Sequence, residues 1–188
     1  MENAMAKPIK TKIGLLKVFN SCSDSVQSYF EHLPKLLDDF PLEVTLAYCF
    51  ARLELGQNMA LYCGAVKLHR ANAEIASSVV STHHMTRQRF VELYKTTYGF
   101  DLPEAAATSL KTAEDTRDTV MHGKLASGDR LRNAIARVLE YSDAMNSQLN
   151  QKCGLRPFGN LRGFAGRMVK LDPRTTRFML KGMGFTLS

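Results

Sequence analysis

Cysteine, proline and long apolar runs are all scarce in this chain, and each shortage excludes something. The four cysteines, Cys22, Cys49, Cys63 and Cys153, lack C-x-x-C spacing and sit mainly among apolar neighbours. That pattern predicts reduced, packed thiols and argues against a disulfide frame or a zinc site. No window approaches the roughly 18 to 20 uncharged apolar residues of a membrane span. The first twenty residues carry Lys7, Lys10, Lys12 and Lys17 where a signal sequence would have its apolar core. A cytoplasmic protein with no membrane partner is the expectation. No segment alternates with period two, and there is no Walker loop, dinucleotide fingerprint, G-x-S-x-G elbow or H-E-x-x-H helix. The common nucleotide-binding, hydrolase and zinc-protease readings drop out, and neither a cofactor nor a metal is expected.

Acidic residues are nearly missing from the end of the chain. Of 188 residues, the first 150 hold equal numbers of basic and acidic side chains, so the net charge of +7 belongs entirely to residues 151–188. There Lys152, Arg156, Arg162, Arg167, Lys170, Arg174, Arg177 and Lys181 face one acid, Asp172. Such a segment attracts phosphate backbones through counterion release, and Phe158, Phe164, Phe178 and Phe185 between the charges are candidates to stack on bases. The other reading is a tail that docks on an acidic patch of its own domain or stays mobile.

The six prolines stand at 8, 34, 41, 103, 157 and 173, which leaves residues 42–102 free of the strongest helix breaker. After Pro41, the run Val44, Leu46, Ala47, Phe50, Ala51, Leu53 and Leu55 is apolar nearly all round and predicts a helix buried on most sides. Gly56 and Gly64 are places for it to bend or split before it continues to about Val80. Thr86 can cap a helix carrying Phe90, Leu93, Tyr94 and Tyr98 on one side, with Gly99 as its stop and Pro103 as the next start. Residues 104–122 are alanine-rich and favour helix. Leu131, Ile135, Val138, Leu139, Ser142, Met145 and Leu149 recur at helical spacing between residues 130 and 150. Asp172 and Pro173 read as the cap and first turn of a short helix ended by Gly182. The expected fold is an all-α antiparallel bundle of four to five helices over residues 41–150. An N-terminal extension, residues 1–40, holds a short helix around 24–33, and residues 151–188 form a basic Gly/Arg/Phe-containing segment with a short helix.

One charge is out of place in this pattern. Wrapping residues 104–122 at a helical pitch aligns Ala106, Leu110, Ala113, Val120 and Met121, and Arg117 falls near the centre of that stripe. A guanidinium cannot discharge, so it must meet a carboxylate, a phosphate or water. Either the stripe is not wholly buried, or it forms a cleft for an anion. A structural salt bridge is the plain alternative, with Glu114 the nearest candidate. Asp118 and His122, four residues apart, are helix neighbours, and the carboxylate is positioned to hold one imidazole nitrogen. His122 also sits at the negative end of the helix dipole, just before Gly123. A helix-terminal histidine with a local acid and no chemistry would look the same. His83 and His84 are adjacent and diverge on a helix, while His69 and His32 lack ligand-spaced partners. The nine methionines are read as packing elements.

The run Arg117-Asp118-Thr119-Val120-Met121-His122 resembles the R-x4-6-H signature of the HEPN superfamily, with the polar Asp118 directly after the arginine. It lies near the end of a helix, before a glycine-bounded loop and a further amphipathic helix. The resemblance spans residues 40–150. It implies a helical bundle, often dimeric, and in many members a metal-independent endoribonuclease found in toxin–antitoxin, phage-defence or RNA-processing systems. Others are catalytically silent binding modules. On this resemblance Arg117 and His122 form the catalytic pair supported by Asp118, and two copies of the motif meet across a homodimer. Toxins regulated by a nucleotidyltransferase commonly have a tyrosine two residues after the histidine. Lys124 stands there instead, so such regulation is not expected. RNA is the expected substrate and an antitoxin or regulatory protein a possible partner, with Lys124, Arg156, Arg162, Arg167, Arg174 and Arg177 as candidate RNA-holding residues.

Overall fold

Helix follows helix along the chain in this computed structural model, which describes residues 8–81, 85–159, 161 and 169–187. Among the described residues there is no strand. The elements are α1 (Lys12–Ser21), α2 (Asp24–Tyr29), α3 (Leu33–Asp39), α4 (Leu42–Cys63), a π-helical turn (Gly64–Leu68), α5 (Ala73–Ser81), α6 (Arg87–Tyr98), α7 (Glu104–Met121), α8 (Gly128–Cys153) and α9 (Pro173–Gly182). The chain divides into two compact units, 1–53 with 105–144 and 54–104 with 145–188. The expected all-α fold is present, and among the described residues the stretch from α4 to α8 holds five α-helices, within the four to five read from periodicity. The helix expected to run on to about Val80 is divided into α4 and α5 at the π-helical turn.

In the first unit, the N-terminal segment folds as three helices where one short helix was expected. Thr11 caps α1 by accepting the Gly14 N–H at 3.0 Å. Leu15, Phe19, Val26, Phe30, Leu33 and Leu37 are buried, as are Leu110, Leu131, Ile135 and Leu139 of the same unit. These helices are too short for periodicity to reveal, and their packing stabilises them rather than their propensity. Polar clips hold them. Asn133 accepts the Ile9 N–H at 3.2 Å, Asp143 accepts the Ser23 N–H at 2.9 Å, and Arg52 donates to the Tyr29 carbonyl at 2.7 Å. Helix α4 is less enclosed than expected. Leu46, Cys49, Phe50 and Leu53 are buried, but the face bearing Val44, Ala47, Ala51 and Leu55 is exposed.

In the second unit, Gly56 does not interrupt α4. It is where the Phe158 ring lies, 2.1 Å from the position a Cβ would take. Asn146 fixes that ring by donating to the Phe158 carbonyl at 2.7 Å and accepting the Phe158 N–H at 3.0 Å, all buried. Gly64 opens the π-helical turn, and a Cβ there would meet Thr97 at 2.3 Å. Helix α6 matches its punctuation. Thr86 Oγ1 accepts the Arg89 N–H, Gly99 closes the helix at φ 76°, and Phe90, Leu93, Tyr94 and Tyr98 are buried. Helix α9 lies against α5, where the Asn72 N–H donates to Thr176 Oγ1 at 3.1 Å and the Leu171 N–H to the Arg70 carbonyl at 2.9 Å. No helix among the described residues is long and apolar enough to cross a membrane.

Candidate functional site at the end of α7

Helix α7 begins as an internal helix and ends as a surface one. Leu110, Ala113 and Thr116 are buried, Val120 is half-buried, and Met121 is 70% exposed. The apolar stripe is therefore not wholly buried, and Arg117 stands where it opens. Its guanidinium meets both a carboxylate and an aromatic face. Nε and a terminal nitrogen both lie 3.0 Å from Asp118 Oδ1, and the planar group rests 4.8 Å from the centroid of the buried Phe50 ring. A guanidinium stacks on an aromatic face while keeping its edge for a carboxylate, which is how a cation tolerates this border position.

The expected Asp118–His122 bond is not formed, because Asp118 turns to the stronger partner, the permanent cation beside it. Among the described residues no hydrogen bond joins the two side chains. His122 is instead exposed at the helix C-cap. The chain reverses at Gly123, φ 71°, whose N–H donates to the Val120 carbonyl at 2.9 Å while that of Lys124 donates to the Thr119 carbonyl at 3.0 Å. This paired closure needs a left-handed residue, and glycine adopts it without strain. It directs the chain after His122 away from the helix axis and leaves the ring accessible.

Asp115, Asp118, Thr119, His122 and Lys124 line one open depression of about 240 Å³. Of the expected site residues, Asp118, His122 and Lys124 thus come together, and Arg117 sits beside them bound to Asp118. Asp115, Thr119 and the underlying Phe50 were not anticipated. Thr119 and Asp115 carry a signal that could have found them: they stand three and seven residues before His122, on its side of a helix. The depression mixes two carboxylates with one lysine and one imidazole, so it is not by itself a purely cationic seat for phosphate. Among the described residues no group of three or more His, Cys, Asp or Glu side chains is arranged to hold a metal ion.

The other candidate RNA-holding residues belong to the second unit. Arg156 is exposed and donates to Asn150 Oδ1 at 3.1 Å, and Arg174 and Arg177 are exposed on α9. Arg162, Arg167, Phe164, His83 and His84 lie outside the described residues. Two of the candidate stacking rings are corrected. Phe158 and Phe185 are 0% and 2% exposed and serve the core, so neither can meet a base. Periodicity could not separate them from Phe178, because the tail has no long helix to set a phase.

No protein-family model, curated protein or solved structure matches this chain.

Proposed function

We propose that this chain is a HEPN-type, metal-independent endoribonuclease acting in the cytoplasm as a homodimer. The observation that carries the reading is the exposed His122 in an open depression at the end of α7, one helical turn past the Arg117–Asp118 pair. Metal-free RNA cleavage needs a base to take the 2′-hydroxyl proton, an acid to protonate the leaving 5′-oxygen, and a cation at the phosphoryl oxygens. One imidazole does not serve as base and acid in the same step. Two copies supply two imidazoles and two guanidiniums, and Met121 and Leu125, 70% and 97% exposed on either side of His122, give apolar surface for a second copy to cover. Phosphate then competes with Asp118 for Arg117, and Lys124 adds a positive charge at the rim. A nuclease of this kind suits a regulatory partner such as an antitoxin, with defence as its setting.

A second reading is favoured by the Arg117–Asp118 pair itself. If the carboxylate keeps the guanidinium neutralised, the chain is a catalytically silent HEPN-like module that binds RNA or a protein. Incubating the full chain with total RNA in excess chelator separates the two. The nuclease reading expects 2′,3′-cyclic phosphate and 5′-hydroxyl ends, lost in both His122→Ala and Arg117→Ala. Binding without cleavage supports the second reading, and an absence of RNA binding at low salt leaves a helical scaffold.

A further inference from the structure

Helix α9 has two faces with opposite uses. Asp172 caps it, accepting the Arg174 and Thr175 N–H groups at 2.9 and 3.2 Å, and hydrogen bonding from Thr175 holds that carboxyl below the usual carboxylate range. Thr176 and Leu180 turn inward and are buried, followed by Met183 and Phe185. Arg174, Arg177, Phe178 and Lys181 recur at i, i+3, i+4 and i+7 on the outward face, and all four are exposed. Phe178 is 82% exposed, and just before the helix come the exposed Lys170 and Val169. The one acid of residues 151–188 is spent on the cap. Among the described residues no carboxylate pairs with Arg174, Arg177 or Lys181.

We propose that this face binds single-stranded RNA, with the three cations following the phosphate backbone and Phe178 stacking on an unpaired base. The inference rests on the RNA-directed reading for its ligand class, but it concerns binding and not cleavage. From Arg174 to Lys181 the strip is about 10 Å long, at ~1.5 Å per residue. Cations flanking one exposed ring match the way single strands are held, by electrostatic tracking with base-on-aromatic stacking. A duplex keeps its base faces inside its own stack and could use only the cations. An anionic membrane is the weaker fit, because an interfacial helix needs its apolar face free for lipid and here Thr176 and Leu180 are already engaged.

The test uses full-length protein carrying His122→Ala, so that RNA is not consumed, with labelled oligouridylate, a blunt RNA duplex and phosphatidylserine vesicles as probes. Adding Phe178→Ala is expected to weaken oligouridylate binding roughly 5- to 100-fold, with Phe178→Tyr restoring it. Duplex affinity should not change. Arg177→Gln and Lys181→Gln should each lower the slope of log affinity against log salt by about 0.7. All of these positions are exposed, so the thermal melts should coincide. Unchanged oligouridylate affinity in Phe178→Ala, equal losses for duplex and single strand, or vesicle binding without RNA binding each overturns the proposal. If the chain with His122 restored binds oligouridylate through Phe178 but leaves RNA uncut, the nuclease reading fails and this inference stands. Cleavage accompanied by binding that is indifferent to Phe178 overturns this inference and leaves the nuclease reading in place.

Discussion

Arg117 and Asp118, consecutive on α7, pair at 3.0 Å while the guanidinium leans on Phe50. The motif's cation is thus bound in the free chain, and under the nuclease reading RNA would compete with that carboxylate for it. The pair is 33% and 55% exposed. Its coupling energy in a double-mutant cycle of Arg117→Ala and Asp118→Ala, read from urea unfolding, should be only about 0.2–1 kcal/mol. Arg117→Ala should destabilise more than Asp118→Ala, since it also uncovers Phe50. If the nuclease reading holds, Asp118→Ala should bind oligouridylate more tightly in filter binding, because it unmasks a cation.

Asn146 satisfies both backbone groups of Phe158 in a buried setting. Asn146→Ala strands an N–H and a carbonyl, and denaturant unfolding should register a loss of about 2–4 kcal/mol. Asn146→Asp keeps the acceptor but places a carboxylate against the Phe158 carbonyl. Only its protonated form can donate there, so that variant's deficit should shrink as pH falls towards about 4.

Gly56 has no room for a side chain under the Phe158 ring. Gly56→Ala should therefore cost about 1–3 kcal/mol by thermal or urea melting, although alanine is the better helix former. Phe158→Leu in the same chain should return part of that loss. An additive double mutant would show that the ring is not the obstacle.

Burial pushes the Cys22 and Cys63 thiols up to about 12, and fully buried Cys49 also stays protonated. Cys153 is only half-buried, and although burial raises its thiol too, it is the one expected to react first with a disulfide reagent at neutral pH, the other three only on unfolding. The unfolded chain ionises its thiols near pH ~8.5. Because the folded pKa values are raised, this contribution is intact below that value and is lost as pH climbs towards about 12. Unfolding midpoints should fall in that window, and less steeply in Cys22→Ala.

Much of the fold can be read without coordinates, because it is written in local chemistry. Thr86 and Gly99, Asp172 and Pro173, and the Gly123 reversal act within a few residues and need no distant partner. The three N-terminal helices are not legible in that way, since each is short and stable only against other helices. At the site, placing Arg117 on an apolar stripe was a matter of helical pitch. Which acid it would meet was not, because Asp118 had two partners within reach, His122 by spacing and Arg117 by adjacency. The full charge won.

By itself, the sequence determined an all-helical chain, an arginine at the margin of an apolar face, a histidine at a helix end, and a cationic tail. These follow from periodicity, capping and composition, which act over one or two turns. Tertiary structure decided what those residues are free to do. It tied Arg117 to Asp118 over Phe50, left His122 open, and sank Phe158 and Phe185 into the core while keeping Phe178 outside. Burial depends on what packs against a residue from elsewhere in the chain, and short-range patterns do not carry that information.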